Sequence, residues 1–205
     1  EDLEKASLSI RVEDVYAEEQ RIGHNIRALV NCLKKHVSKQ AQPFIHLCAT
    51  SNDITDTAMA LRLKELTRDI LLPDLIQLEK VLLRLARHHA KTVQMGRTHG
   101  QHATPITFGY VLANYVARVG NRIEQIESAR INLRGQLSGA VGAYNALSLL
   151  VPDNTVGFER DVLAKLGLRP IDTQVSTQII HPEYVTDLVH TVTSAFSVLA
   201  NIADD

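Results

Sequence analysis

The stretch MGRTHGQHATP, residues 95–105, concentrates groups that can hold or move a proton. His99 stands between Thr98 and Gly100, with Gly96, Arg97 and Gln101 close by in the chain. The glycines allow close backbone approach, Arg97 adds a cation, and Thr98 and Gln101 supply short, orientable hydrogen bonds. An imidazole in such company can deliver a proton near neutral pH. A lone loop histidine is more often satisfied by neighbouring backbone. The neighbours of His99, not the residue type, carry the functional reading.

Two further polar stretches, around 46–53 and 174–182, offer groups for an anion. Thr50-Ser51-Asn52-Asp53 has the pattern of a helix start, a capping hydroxyl followed by an acid in the first turn. Capping is the default explanation, yet the same hydroxyls and N–H groups can hold a carboxylate or phosphate. His46, just upstream, is flanked by Phe44, Ile45 and Leu47, so a core position and a ligand-facing one are both open. His24 lies off the apolar stripe of its helix and faces either solvent or another subunit. Thr177-Gln178 precedes a helix begun by Pro182, where a plain polar linker would have the same spacing. Gly139, Gly142 and Asn145 in SGAVGAYNA break helical periodicity, and His88-His89 follow the end of an apolar stripe, where solvation is expected. The chain has nine histidines, but none pairs with carboxylates at a recognisable metal spacing, so no metal site is expected.

The elements that must position these groups are helical. Residues 1–11 show no clear period. From Val12 a helical pattern develops, with Ile22, Ile26, Leu29, Leu33 and Val37 on one stripe, ended by the polar SKQAQP. A helix from Thr50 onward carries Met59, Leu63, Leu66 and Ile70, then Leu75, Leu78, Leu82 and Leu85 beyond Pro73, which should kink or interrupt it. Unbroken, residues 54–91 would span about 57 Å at about 1.5 Å per residue, a length suited to an elongated bundle. Thr104-Pro105 is predicted to cap the next long helix, marked by Phe108, Leu112, Tyr115, Val119, Ile123, Ile126 and Leu133. Pro152-Asp153 opens a shorter helix that stops at Gly167. After His181-Pro182, Val185, Leu188, Val192, Ala195, Leu199 and Ile202 form a coiled-coil-like seam. The expected fold class is all-α, an elongated bundle of long helices. No strand alternation, repeat or low-complexity tract competes with it. The polar stretches around 46–53, 96–105 and 174–182 all fall at helix junctions, where backbone donors are free.

Composition narrows the classes. Of 205 residues, 45% are hydrophobic but only 4% aromatic, with no Trp, which suits aliphatic helix packing. A net charge of −1 gives no global field for nucleic acid or an anionic membrane, so neither partner is expected. Cys32 and Cys48 lack metal spacing and are expected as reduced, partly buried thiols in a cytoplasmic protein. No apolar run is long enough for a bilayer. The start at EDLEK and the stop at NIADD, within a helical pattern, suggest a piece of a longer chain.

Four stretches together resemble one family. GRTHGQHATPITFG is similar to the GRTHGQ-x-A-x-P-x-TFG segment of adenylosuccinate lyases, in the fumarase/aspartase superfamily. FIHLCATSNDITDTA resembles that family's IH-x₃-TS-x-D-x₂-DTA segment, SGAVGAYNA its SGAVG-x-YNA loop, and VSTQIIHPEY its STQI-x-x-HD-Y segment. The matches occur in the family's order. Fumarases and argininosuccinate lyases usually carry THLQ where this chain has Thr98-His99-Gly100-Gln101, and carboxymuconate cycloisomerase-like members are the nearest rivals.

The resemblance implies a fumarase/aspartase-like fold. Residues 1–38 would be the end of an N-terminal helical domain, and residues 39–205 a truncated central bundle. It implies β-elimination of fumarate from adenylosuccinate, giving AMP, and from the succinyl-carboxamide ribotide of purine synthesis, with no metal or organic cofactor. His99 would be the general acid. His24 and His46 would contact the phosphate end of this anionic purine nucleotide substrate. Thr50, Ser51, Thr98 and Gln178 would bind carboxylate or phosphate, with Asn52 and Asp53 shaping that loop. Asn25 stands where the family commonly has Asp, which removes a carboxylate beside His24. The family's Ser-Ser-x-Met-Pro-x-Lys-x-Asn-Pro loop, which carries the base serine, is not in this sequence. A homotetramer with sites shared among subunits is implied, and uncompensated seams on long helices agree with it. The competing expectations are a sibling lyase or cycloisomerase with another leaving group, and a non-catalytic helical assembly module.

Overall fold

The computed structural model describes residues 2–205. It divides into two compact units, Glu1–Met59 with Arg134–His181, and Ala60–Leu133 with Pro182–Asp205, so the chain leaves the first unit inside a helix and returns to it later. The predominantly helical class expected from the sequence is observed, with one two-stranded antiparallel sheet that periodicity did not foretell.

The first unit begins with α1 (Asp2–Ser9), α2 (Val12–Ile22) and α3 (Asn25–Lys35). The helix α1 replaces the featureless lead-in expected there. Its Leu8 is 89% exposed and only Ala6 turns inward, so its apolar residues mark no stripe. The single stripe from Val12 to Val37 is two helices. Gly23 closes α2 in the left-handed region at φ 71°, its N–H on the Glu19 carbonyl at 2.7 Å. His24 then caps α3. Ala6, Ile26, Val30, Val37 and Ile45 form the core beneath. After a 3₁₀ turn at Gln42–Phe44, α4 (Ser51–Leu66) starts where the TSND pattern places it.

The buried face of α4 is not the apolar one. Asp53, Thr57 and Ala60 are buried, while Met59, Leu66 and Ile70 are exposed, Ile70 to 56%. The Met59–Ile70 stripe is therefore not core within this chain. At its end the helix widens into a π-turn, Thr67–Leu71, in which the Leu72 N–H bonds the Thr67 carbonyl. This is the predicted interruption at Pro73, since proline has no N–H for the preceding turn and crowds its carbonyl.

In the second unit, α5 (Leu72–His88) leads into β1 (Val93–Thr98), which pairs with β2 (Gln101–Thr107) before α6 (Phe108–Ile131). Pro105 lies in β2 opposite Met95, and Thr107, not Thr104, caps α6 by accepting the Tyr110 N–H at 3.2 Å. Leu82, Ala86, Leu112, Tyr115, Val119 and Val198 make the core where α5, α6 and α9 (Glu183–Asp204) meet. Arg122 donates to the Ser194 hydroxyl at 2.8 Å and Arg118 to the Asn201 amide oxygen at 2.7 Å, tying α9 to α6. His89 is not simply solvated. Its ring meets Thr92 at 3.1 Å and packs edge-on against Phe108, at the foot of the hairpin.

The rest of the first unit is the loop after Leu133, then α7 (Leu147–Leu150), a 3₁₀ turn at Pro152–Asn154, α8 (Thr155–Lys165) stopped by left-handed Gly167, and the strand-free segment to His181. No described helix is long and apolar enough to cross a membrane.

Gly109 shows how tightly α6 starts against α5. A Cβ there would stand 2.5 Å from the Ala86 carbonyl and 2.7 Å from the backbone of Ala90. Gly109→Ala is expected to destabilise the protein by about 1–3 kcal/mol, the range for overpacking, as read from the midpoint of urea unfolding. An unchanged midpoint would mean that the two helix ends yield freely.

Candidate active site

In the first unit one buried carboxylate gathers the polar stretches. Asp53, in the first turn of α4, is 2% exposed. Its Oδ2 accepts the N–H of Thr50 at 2.9 Å and of Gly139 at 3.0 Å, and its Oδ1 that of Ser138 at 3.3 Å. The Thr50 bond is half of a capping box, in which the third helical residue satisfies the cap's own N–H. The other two bind the 138–144 loop to the same helix terminus. With three backbone donors and almost no exposed surface, Asp53 holds backbone and is sealed from solvent.

A second set of bonds lays residues 176–180 across the first turns of α4. Gln178 Nε2 donates to the Thr50 hydroxyl at 3.3 Å, and the Ile180 N–H to Asp56 at 3.1 Å. Gln136 Nε2 donates to the carbonyls of Thr177 at 3.1 Å and Gln178 at 3.4 Å. Gln136 is fixed in turn by Thr57, whose hydroxyl donates to its carbonyl at 3.2 Å and accepts its N–H at 3.0 Å. The Ser138 and Ser176 hydroxyls meet at 3.3 Å.

His24 reaches the same terminus from α3. Its Nδ1 accepts the Arg27 N–H at 3.2 Å, which leaves Nε2 as the proton-bearing nitrogen of the neutral ring, 3.4 Å from the Ser51 hydroxyl. Asn25 spends its side-chain oxygen on the Ile26 N–H at 2.7 Å, a bond an Asp would make equally well. Asn52 accepts from Thr55 at 3.5 Å. His46 is half-buried with a left-handed backbone at φ 63°, and its Nδ1 is buried without a partner. Burial holds its pKa below the ordinary histidine value against a backbone hydrogen bond that raises it, and the Arg27 charge adds to the lowering. Thr50, Ser51, Gln178 and His24 thus share one corner with the α4 N-terminus, and His46 is near enough to feel the charge of Asp53. The corner is rich in donors, the chemistry that receives a carboxylate or phosphate.

Thr98 and His99 belong to the second unit. His99 and Gly100, at φ 54° and 71°, form the two-residue turn of the hairpin, with Thr98 paired to Gln101. Two consecutive left-handed residues make a type I′ turn, the form whose twist matches the strands. The imidazole is exposed at its tip. The bulge sits at Gly96, where a Cβ would lie 2.8 Å from the Thr104 carbonyl.

Sequence reasoning missed Glu159. It is 1% exposed, with Oε1 accepting the Leu137 N–H at 2.8 Å and Oε2 the Tyr144 hydroxyl at 2.7 Å. Burial pushes its carboxyl pKa up against the pull of those two donors, and nearby Asp53 adds to the rise. Tyr144 is raised as well, by burial first and then by Glu159. The available signal was an acid flanked by the apolar Val156, Phe158 and Leu163 of a short helix, which is too common to stand out.

The raised carboxyl sets a sign. Folded Glu159 binds its proton more tightly than the unfolded chain does, so its contribution to stability is full below the ordinary Glu value of about 4.3 and is lost as pH rises through the folded pKa. Glu159→Gln cannot titrate. Melting temperatures measured from pH 4 to 8 should fall less steeply with pH in the variant, and parallel profiles would refute the assignment.

A family model described as lyase matches residues 7–205. The chain is 35% identical over 195 residues to the adenylosuccinate lyase of Pyrococcus abyssi, covering 95% of this chain and 42% of that protein. It is 36% identical over 187 residues to the adenylosuccinate lyase of Synechocystis sp., covering 90% and 41%. Among solved structures it is similar to the fumarate lyase from Mesorhizobium sp. BNC1, with a TM-score of 0.87 at 25% identity, over 100% of this chain and 47% of that one. The 3-carboxy-cis,cis-muconate lactonizing enzyme from Pseudomonas putida follows with a TM-score of 0.82 at 25% identity, over 97% and 44%. The chain thus spans about two fifths of the length of these curated relatives.

Proposed function

Since the chain belongs to the lyase family, matched over residues 7–205, we propose that it forms part of an adenylosuccinate lyase. The reaction is β-elimination. A base takes the proton next to a succinyl carboxylate, the resulting carbanion is held as an aci-carboxylate by hydrogen-bond donors, and a general acid protonates the nitrogen as its bond to carbon breaks. Fumarate leaves, and AMP or the carboxamide ribotide of purine biosynthesis remains.

His99 is the acid in this reading, with Thr98 beside it on the hairpin. Thr50, Ser51 and Gln178 take a carboxylate or phosphate, and His24 and His46 take the phosphate end. Asn25, Asn52 and Asp53 shape the backbone around them. The observation that supports the reading most is the donor-rich corner at the α4 N-terminus. There Thr50 is bonded by both Asp53 and Gln178, and the Ser51 hydroxyl faces His24 Nε2. Relatives 35–36% identical that are named adenylosuccinate lyases favour the purine substrates over those of other lyases.

The base is assigned to a Ser-rich loop outside these 205 residues. Exposed apolar side chains on long helices, Met59, Leu66 and Ile70 before Pro73 and Val189 and Phe196 on α9, support assembly into a homotetramer, and a cytoplasmic enzyme suits a nucleotide substrate. Residues 1–205 by themselves should self-associate in light scattering and release no measurable fumarate. A monomer would refute the assembly, and turnover would refute the placement of the base.

The substrate is tested with residues 1–205 completed by the segment that the relatives carry beyond the matched region. Fumarate release should be seen with adenylosuccinate and not with argininosuccinate or malate; the reverse pattern assigns a sibling lyase. His99→Ala in that protein should lower kcat by ~10²–10⁴, the span of general acid catalysis. A change confined to KM would make His99 a binding residue.

A further inference from the structure

We propose that Glu159 is a positioning residue for the substrate's anionic end, acting through the 137–144 loop and Asp53 on the N-terminus of α4. The proposal rests on the reading above that this terminus binds substrate.

The two oxygens of Glu159 hold both ends of the loop, the Leu137 N–H at one and the Tyr144 hydroxyl at the other. Between those ends the loop closes on itself: the Tyr144 N–H bonds the Ser138 carbonyl at 2.8 Å and the Gly142 N–H the Gly139 carbonyl at 3.1 Å. Its Ser138 and Gly139 N–H groups point the other way, onto Asp53. The loop is thus a short bridge with a buried carboxylate at each abutment. Only the Asp53 side touches the helix terminus that carries Thr50 and Ser51.

Two observations show that the bridge is held under constraint. Tyr144 adopts φ 57°, a conformation that a bulky side chain rarely takes unless its surroundings impose it. In that conformation both its hydroxyl and its N–H are bonded. Gly142, at φ 72°, lies so close to Ser176 and Thr177 that a side chain would run into both. The loop therefore packs directly against the segment that presents Gln178 to Thr50. Losing Glu159 frees Tyr144, and the loop then releases its grip on Asp53 and on the 176–178 segment together.

The test uses the completed enzyme and three variants. Glu159→Ala should raise the KM for adenylosuccinate about tenfold, with kcat per folded subunit within about twofold, because the loss falls on ground-state binding. Glu159→Gln should restore KM to within about twofold of the parent, since its amide accepts from Leu137 and donates to the Tyr144 oxygen. A merely structural role would lower the folded fraction and leave KM unchanged, which overturns the proposal, as does a Gln variant no better than Ala. Should Glu159→Ala fail to fold, Tyr144→Phe removes a single bond and should raise KM about threefold. An unchanged KM there overturns the proposal equally. Hydrogen exchange separates this proposal from the substrate assignment, because it needs no turnover. Relative to amides in α6, those of Thr50, Ser138 and Gly139 should exchange about tenfold faster in the Ala or Phe variant. Unaltered protection at Thr50 defeats the proposal even if adenylosuccinate is the substrate, and faster exchange without turnover defeats the substrate assignment alone.

Discussion

A carboxylate with three backbone donors and almost no solvent is the constraint from which the first unit is built. Asp53 gathers N–H groups from residues far apart in the chain, Thr50 on one side and Ser138 and Gly139 on the other. Buried polar groups must be paired, and a buried anion more stringently than any other. Removing either the helix turn or the loop would therefore leave charge or donors stranded. The same carboxylate completes a helix cap, so one side chain serves secondary and tertiary structure together. Thr57 and Gln136, one turn further along α4, repeat the device with neutral groups.

This explains why α4 is turned the way it is. Its buried residues near the start are Asp53, Thr57 and Ala60, and its larger apolar side chains face outward. Hydrophobic periodicity marks the outward face, where Met59, Leu66 and Ile70 are exposed. Polar pairing fixes the inward face instead. The two faces of one helix differ in chemistry, and only the apolar one leaves an imprint in the spacing of Leu, Ile and Met.

The long helices α5, α6 and α9, the start of α4 at Ser51 and the stop at Gly167 were legible from stripes, caps and breakers. The pattern was silent where stripes ran through a break without changing phase, as at Gly23-His24, or where a helix buried only one alanine, as in α1. The hairpin was hidden because β1 and β2 are mostly exposed, with Gln94 and Gly96 and not the apolar Val93 and Met95 on the half-buried face of β1, and because Thr104-Pro105 imitates a helix start three residues too early. Of the candidate site, the motif residues of the first unit did come together at the α4 terminus. The residues that hold them, Gln136, Ser138, Tyr144 and Glu159, were not legible, because their partners are far away in sequence and their types are unremarkable.

The turn at the hairpin tip restricts which side chains can ever occupy its first position. A left-handed backbone at φ 54° repels branched and bulky residues and leaves chiefly glycine, asparagine, aspartate and histidine. Within that short roster, imidazole alone exchanges a proton near neutrality. Torsion thus restricts this position, and the side chain it admits stands exposed at the apex of the ribbon.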